Sequence, residues 1–345
     1  MNYPSGGMFS RARLLQLLDA VQGKLVLVYG DLVADRFIHG VPKRISREAP
    51  VLILRQEREE IRLGGGGNAI HNIVTLGGVA IPIGAVGEDP EGAALLSRLG
   101  ENGVDCSAIL RLARYRTPTK TRVLGGMPHA ARQQIVRYDL EDELVLNEEE
   151  KRELAAILRH QLPLVDAVVI SDYGYGTVTP GLVANLTDAS HGRPVTLDSR
   201  RALLDYPGVT AATPNEEEAA AAAGIALFGR DEERRLPEVG RSLREALDAE
   251  ALLITRGSRG MMLFERGGSE LHVPVWGNDQ VADVTGAGDT VIAAFTLALA
   301  AGASFAEAAK LANYAGGIVV MKMGTATASA PELREAIERD PDLGE

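Results

Sequence analysis

The chain has 345 residues, of which 46% are hydrophobic and 24% charged, and this composition excludes disorder over most of its length. Its formal net charge of −11 opposes non-specific binding to nucleic acid or to anionic lipid, so neither is an expected partner. One cysteine excludes an internal disulfide, and no apolar run approaches the roughly 20 residues that span a bilayer, so we expect a soluble cytoplasmic protein.

Buried strands alternate with helices along most of the chain. Residues 24–31 form an apolar run that ends in glycine and aspartate, and similar runs occupy residues 167–172, 194–198 and 251–257. Helical patterns lie between or beside these runs, at residues 148–160, 180–190 and 236–247. This alternation predicts a three-layer α/β/α fold around a doubly wound, mostly parallel sheet.

Acidic residues follow three of the predicted strands. Asp31, Asp172 and Asp198 all fall at carboxyl ends, where ligands bind in sheets of this kind. Any one of them alone is better explained as a turn residue or a helix cap. Three acids on one edge favour a binding site.

Two segments depart from the alternation of strands and helices. Residues 36–64 and 116–139 carry short alternating runs with proline between them, which predicts strand pairs outside the main sheet. We expect them to form one small β-sheet over the strand ends, which we call the lid. The core domain then comprises residues 1–35, 65–115 and 140–345.

A run of four glycines, Gly64 to Gly67, precedes Asn68 and a predicted helix. Glycines allow a ligand to approach the backbone closely, and the Asn68 amide can both donate and accept hydrogen bonds. The alternative is a hinge between lid and core.

The segment from Asp283 to Thr290 contains a Gly286-Ala287-Gly288 turn that leads into an apolar helix. Its backbone N–H groups, with the helix dipole behind them, predict a cradle for an anion such as a transferring phosphoryl group. Asp289 would face that anion, where it can orient and deprotonate an attacking hydroxyl, and the helix dipole predicts a low pKa for it. The alternative is an aspartate that only caps its own helix.

Asn215 and Glu218 follow a short predicted strand and lie three residues apart at the start of a helix. At that spacing they share one helix face and can hold a hydrated Mg²⁺ near phosphates. Taken alone, the acids are also an ordinary first turn.

Other reaction classes find little support. There is no Gly-x-x-x-x-Gly-Lys-Ser/Thr phosphate loop, and the match of residues 64–69 to a dinucleotide fingerprint follows a charged stretch instead of a buried strand. The six histidines show no metal-ligand spacing.

Together, the Asn68 and Asp289 segments resemble the two signatures of the ribokinase-like (PfkB) carbohydrate kinases, and the likeness runs from about Lys24 to Pro331. The resemblance implies ATP-dependent phosphorylation of a sugar hydroxyl, with Asp289 as base and the Gly286, Ala287 and Gly288 amides as anion hole. It implies nucleotide, phosphate and Mg²⁺ contacts from Asp198, Asn215, Glu218, Thr255, Gly257, Gly260 and Asn313. It further implies a homodimer formed through the lid. A monovalent cation such as K⁺ would lie at Asp283, Thr285, Gly324 and Ser329.

Within the family, the segments at residues 30–36, 44–51, 119–120, 134–139 and 171–173 resemble the kinase domain of the bifunctional heptose enzymes. This likeness implies phosphorylation of D-glycero-D-manno-heptose 7-phosphate at O1, for ADP-heptose synthesis. Sugar-phosphate contacts are then expected from Asp31, Asp35, Gly65, Gly66, Asn68, Asp172 and the basic residues Arg44, Lys120 and Arg137.

The chain departs from that branch at Gly66 and Gly67, where alanines are usual and where we expect a more flexible loop, and at Ser199 and Arg200, which replace a Pro-Lys pair. We expect a kinase without the adenylyltransferase half. The alternatives are a PfkB kinase for fructose 1-phosphate, fructose 6-phosphate, ribose or a nucleoside, and a non-catalytic sugar-phosphate-binding regulator.

Overall fold

The structure is a computed structural model that describes residues 9–126, 133–225, 232–277 and 282–344. The helices are α1 (Arg11–Ala20), α2 (Gly66–Thr75), α3 (Pro90–Glu101), α4 (Glu148–Gln161), α5 (Pro180–Asp188), α6 (Glu216–Ala222), α7 (Glu232–Ala246), α8 (Ala287–Ala300), α9 (Phe305–Val320) and α10 (Ala330–Arg339).

The core strands are β1 (Leu25–Gly30), β4 (Val79–Gly87), β5 (Ile109–Leu112), β8 (Ala167–Asp172), β9 (Val195–Ser199), β10 (Ala211–Ala212), β11 (Ala251–Thr255), β12 (Met261–Glu265) and β13 (Glu270–Val273). The remaining strands are β2 (Leu32–Ile45), β3 (Leu52–Gly65), β6 (Thr119–Gly125) and β7 (Gln133–Leu140).

The core strands form one nine-stranded sheet in the order β13-β12-β11-β10-β9-β8-β1-β4-β5. Neighbours pair in parallel from β5 to β11, whereas β12 and β13 continue the sheet in antiparallel pairs. β4 and β8 lie on opposite sides of β1, so the order in which successive strands are added to the sheet reverses at β1. At such a reversal a crevice opens at the carboxyl ends of the strands.

Alternate side chains of β1 show how the sheet separates two hydrophobic cores. Val26 and Val28 pack beneath α1, α2, α3, α8, α9 and α10. Leu27 and Tyr29 face the opposite way and pack beneath α4 to α7. Strands buried on both faces read as continuous apolar runs, which is why the sequence pattern predicted them. The predicted three-layer fold is confirmed.

The lid is a separate four-stranded sheet in the order β3-β2-β6-β7. Strand β2 pairs antiparallel with β3 and parallel with β6, and β6 pairs antiparallel with β7. Strand β2 begins one residue after Asp31, so the base of the lid lies next to the carboxyl end of β1. The division into two domains stays a prediction.

Candidate active site

Asp289 lies in the first turn of α8, where the helix begins beside the carboxyl ends of the sheet strands. Its side chain is only 2% exposed. Oδ1 accepts a hydrogen bond of 2.7 Å from the Tyr173 hydroxyl, and Oδ2 accepts one of 3.0 Å from Nδ2 of Asn68. Burial raises the pKa of Asp289 to about 6, so the predicted low value is wrong. The loss of water around the carboxylate outweighs the helix N-terminus.

The turn before α8 leaves backbone donors open towards the same space. Gly286 has φ +79°, a left-handed conformation, and its amide and that of Gly288 have no acceptor among the described residues. The Ala287 amide instead donates to the Val284 carbonyl at 3.2 Å, so within this turn it is not the free donor that we predicted. The amides of Gly286 and Gly288 are placed as an anion cradle requires, and this role stays a prediction.

The glycine run makes close backbone contacts at the base of the lid. A β-carbon at Gly64 would lie 2.7 Å from Oδ2 of Asp35, and one at Gly65 would lie 2.9 Å from the Asp31 carbonyl oxygen. Gly66 and Gly67 are the first residues of α2, and the Gly66 amide donates to that same carbonyl at 2.9 Å. The two residues are therefore ordered in a helix, and the flexible loop expected there is wrong.

A polar cavity of about 280 Å³ lies between the Asp289 turn and the lid. Its acidic side chains are Asp198, Glu218 and Asp289, and its basic ones are Arg122, Arg137 and Arg200. Charges of both signs around one cavity suit a ligand that carries phosphate groups beside a divalent cation.

Asp198 and Glu218 face this cavity at close range. Burial raises the pKa of Asp198 well above its usual range, and the neighbouring carboxylates raise it further. Burial also raises the pKa of Glu218. Asn215 and Glu218 also cap α6 reciprocally, each accepting the other's backbone N–H at 2.9 Å. Oxygen donors of this kind fit Mg²⁺. Asn215 and Glu218 supply only a few such donors, which suits an ion that keeps most of its waters and also binds phosphate.

Basic side chains enter from the lid and from the end of β9. Arg122 forms a buried ion pair with Asp35, and Arg137 pairs with Asp139. Lys120 lies 4.9 Å from the Tyr173 ring centre, and burial lowers its pKa to about 8. Asp35 lies opposite Lys120 in the β2–β6 pair, and Arg137 lies opposite Arg122 in the β6–β7 pair, so the predicted Asp35, Lys120 and Arg137 are on neighbouring strands.

A second, mostly apolar cavity of about 340 Å³ adjoins the Asp289 turn. Four of the seven residues predicted for nucleotide, phosphate and Mg²⁺ contacts line it, namely Thr255, Gly257, Gly260 and Asn313. Trp276 and Met261 supply apolar walls, and Ala287 and Gly288 join this cavity to the polar one. The shape suits a flat heterocycle whose phosphates extend towards Asp289.

Two predicted substrate ligands, Asp31 and Asp172, make several hydrogen bonds within the chain. Asp31 accepts hydrogen bonds from the backbone amides of Tyr173, Tyr175 and Thr177, at 2.8, 3.1 and 3.1 Å. Asp172 accepts from the Gly174 amide and from the hydroxyls of Ser199 and Tyr206. Both carboxylates are buried and each accepts three hydrogen bonds from the chain, so we propose a scaffold role for them.

Arg44 does not reach the cavity within this chain. It is exposed, and it lies nine residues along β2 from Asp35, roughly 30 Å in an extended strand.

The predicted cation residues come together only in part. Asp283 accepts hydrogen bonds from the Thr285 amide and hydroxyl and, at 2.9 Å, from the Gly324 amide. Ser329 instead caps α10 and exchanges hydrogen bonds with Glu332.

Tyr173 and Arg200 belong to the site although their roles were not predicted. The Arg200 guanidinium lies 4.1 Å from the centre of the Tyr173 ring. Each residue follows closely on an acid at the end of a strand, and that position was the available signal. The Thr213 hydroxyl also lines the polar cavity and is buried without a partner among the described residues.

The fold and this site define a protein of the kinase class, in which an anion cradle adjoins a carboxylate at the ends of parallel strands. Residues 24–333 match the pfkB family of carbohydrate kinases, and the chain belongs to that family. The predicted family and the predicted ATP-dependent carbohydrate kinase are thereby confirmed.

Among curated proteins, the bifunctional protein HldE of Geobacter sulfurreducens is 42% identical over 310 residues, covering 89% of this chain and 61% of the relative. HldE of Caulobacter vibrioides is 42% identical over 325 residues, covering 93% of this chain and 65% of the relative. The chain thus spans less than two thirds of the length of these relatives.

Solved structures share the fold at lower identity. Arabidopsis thaliana ribokinase complexed with ribose and ATP has a TM-score of 0.67 and 21% identity, covering 92% of this chain and 98% of that one. Escherichia coli phosphofructokinase-2 in complex with potassium has a TM-score of 0.69 and 20% identity, covering 92% and 99%. Within the described residues, no helix is both long and apolar enough to cross a membrane.

Proposed function

We propose that the chain transfers the γ-phosphate of ATP to O1 of D-glycero-D-manno-heptose 7-phosphate in the cytoplasm. The observation that carries the proposal is the polar cavity, where Asp289 and the glycine cradle face the basic residues Arg122, Arg137 and Arg200. An acceptor that already bears a phosphate needs such cations in an otherwise acidic protein. The heptose assignment is supported by the segments that resemble the heptose enzymes and by 42% identity to HldE proteins.

In this mechanism, Asp289 orients the O1 hydroxyl and takes its proton as the new O–P bond forms. The bond from the γ-phosphorus to the bridging oxygen breaks, and ADP leaves with that oxygen. The Gly286 and Gly288 amides stabilise charge on the transferring group. Asn215 and Glu218 would hold Mg²⁺ through water, and when bound this ion neutralises phosphate charge. Asp35, Asn68 and Lys120, with the backbone of Gly65 and Gly66, would hold the sugar.

The test is ADP release with Mg-ATP and a panel of acceptors. The panel contains D-glycero-D-manno-heptose 7-phosphate, fructose 1-phosphate, fructose 6-phosphate, ribose and adenosine. We expect kcat/KM for the heptose to exceed the others by about 100-fold or more. Preference for another acceptor would overturn the heptose assignment and keep the kinase, and silence with all five would overturn the proposal.

We also propose that the lid forms a homodimer interface. It exposes apolar side chains, among them Ile45 at 68% and Val136 at 48% exposure, which is unusual for a surface that stays in water. Analytical ultracentrifugation should show a dimer for the native chain and a monomer for Val136→Asp. A native monomer would contradict this interface.

Finally, we propose that a monovalent cation binds next to the Asp283 loop. The supporting observation is that Asp283 and Thr285 directly precede the cradle in sequence and that the Gly324 amide donates to Asp283. Replacing K⁺ with tetramethylammonium should lower kcat several-fold, and unchanged activity would remove this cation from the mechanism.

A further inference from the structure

We propose that Tyr173 is a positioning residue for Asp289. The Tyr173 hydroxyl holds one oxygen of the Asp289 carboxylate in place and keeps that carboxylate ionised, so that it can accept the proton of the acceptor hydroxyl. The inference rests on the proposed function, in which Asp289 is the base. It adds a residue from the loop after β8 to the two signature segments.

The geometry gives each oxygen of Asp289 its own donor. The Tyr173 hydroxyl donates to Oδ1 at 2.7 Å, and Nδ2 of Asn68 donates to Oδ2 at 3.0 Å. All three side chains are buried, so water competes little for these contacts. Each carboxylate oxygen has two lone pairs and uses one for its donor. The other lone pair of each oxygen is left to accept from the acceptor hydroxyl.

Tyr173 can act only as a donor in this pair. Burial, together with the charge of Asp289, raises the pKa of Tyr173 well above its usual range, so the hydrogen stays on the phenol. Its bond to Asp289 opposes the effect of burial and lowers the pKa of that carboxyl. The hydroxyl thus offsets part of the cost of burying the base.

The Tyr173 ring is itself held from several sides. Its backbone amide donates to Oδ2 of Asp31 at 2.8 Å. Arg200 and Lys120 lie 4.1 and 4.9 Å from the ring centre, within the range of cation–π attraction. Because the Tyr173 side chain is held in place by these contacts, its hydroxyl can hold the Asp289 carboxylate in a fixed position.

Other charged groups also face Asp289 and set the background for its titration. They are Asp35, Asp198 and Arg200, with Glu218, Arg122 and Arg137 around the same cavity. Removing the Tyr173 hydroxyl deletes none of these charges, although Arg200 loses a hydrogen-bond partner.

The chain offers a matched pair of variants. Tyr173→Phe keeps the ring with its cation contacts and removes only the hydroxyl. Tyr175→Phe removes a hydroxyl two residues away on the same loop, whose backbone amides also donate to Asp31. That hydroxyl donates to Glu141 at 2.9 Å instead of to Asp289. A general effect of loop disruption would be common to both variants, whereas an effect on Asp289 belongs to Tyr173 alone.

The first readout needs no substrate. The ¹³Cγ resonance of Asp289, assigned with Asp289→Asn, is titrated by NMR in the ligand-free protein. A hydrogen bond to a charged group implies a pKa rise of about 1 unit in Tyr173→Phe and none in Tyr175→Phe. Site-specific 3-fluorotyrosine at position 173 keeps the hydroxyl and makes it more acidic, so the pKa should fall. An unchanged pKa in both Tyr173 proteins would overturn the proposal.

The second readout is the pH profile of kcat/KM for the sugar phosphate. Starting from a pKa of about 6, a rise of about 1 unit predicts roughly a threefold larger loss at pH 6.5 than at pH 8.5 in Tyr173→Phe. Ionisation of the substrate is common to all proteins and cancels in the ratio. A loss that is equal at both pH values and shared with Tyr175→Phe would mean a merely structural role. If no sugar phosphate turns over, the proposed function fails, while the titration still decides the role of Tyr173.

Discussion

Asn68 and Asp289 are joined by a hydrogen bond of 3.0 Å from Nδ2 to Oδ2, across 221 positions of the sequence. The same Nδ2 lies 3.2 Å from the Gly286 carbonyl oxygen. One buried amide therefore holds both the carboxylate and the turn that forms the anion cradle. The glycine run before Asn68 and the turn before Asp289 are parts of a single site.

Replacing Asp289 with Asn should remove the proton acceptor while leaving the helix intact. We expect kcat to fall by at least about 100-fold, because general-base catalysis contributes that much or more. ATP affinity, measured by calorimetry, should change little, since the apolar cavity is untouched. Residual activity within tenfold of the native value would show that Asp289 is not the base.

The ionisation of Asp289 should set the acidic limb of the pH profile. Burial raises its pKa to about 6, and a base works only when unprotonated. Activity should therefore be full above about pH 7 and decline as the pH falls through about 6. A ³¹P NMR titration of the sugar phosphate separates substrate ionisation from that of the enzyme. An acidic limb with its midpoint near pH 4 would show that bound substrate or metal lowers the pKa of Asp289 to that of an ordinary carboxyl group.

Gly286 and Gly67 offer opposite outcomes for the same substitution. Gly286 has φ +79°, and a β-carbon there would overlap Nδ2 of Asn68, so Gly286→Ala should lower both stability and kcat. Gly67 lies in α2, and its β-carbon would meet Leu63 at an ordinary 3.5 Å. Gly67→Ala should therefore raise the free energy of unfolding by about 0.5–1 kcal/mol with native activity. Urea unfolding measures both, and destabilisation by Gly67→Ala would contradict the helix assignment.

Some of these features could be read from the sequence and others could not. The strand that carries Asp198 near its carboxyl end and the turn at residues 286–288 are visible in the local sequence pattern, because burial and turn geometry restrict residue type locally. The sequence cannot tell a ligand-binding carboxylate from a scaffold one. Asp31 and Asp172 stand at the same sheet edge as Asp198. The donors to Asp31 come from the loop after β8, and those to Asp172 include Ser199 and Tyr206, and tertiary packing sets where all of them lie. The contact between Tyr173 and Asp289 joins positions 116 residues apart and has no local signature.

The scaffold role of Asp31 predicts an effect on stability. In Asp31→Asn, one carboxylate oxygen becomes an NH₂ group that faces backbone donors it cannot satisfy. We expect the free energy of unfolding to fall by about 1–3 kcal/mol, with a further loss of kcat because Tyr173 is displaced. Urea unfolding at pH 8 measures the first effect. A variant with native stability and a raised KM for the sugar would restore Asp31 to the substrate.

Arg137 and Arg44 distinguish the two ends of the lid. Arg137 lines the polar cavity, so Arg137→Ala should raise KM for the sugar phosphate about tenfold or more, with a smaller change for an unphosphorylated sugar. Arg44 is exposed at the far end of β2. In a monomer, Arg44→Ala should leave KM unchanged for both the sugar phosphate and the unphosphorylated sugar. Initial-rate measurements on both variants, with the oligomeric state checked by ultracentrifugation, test this contrast. A raised KM in Arg44→Ala that disappears on dilution to the monomer would mean that the lid of a second copy supplies Arg44 to the neighbouring site. A raised KM that persists in the monomer would mean that the lid bends towards the cavity when substrate binds.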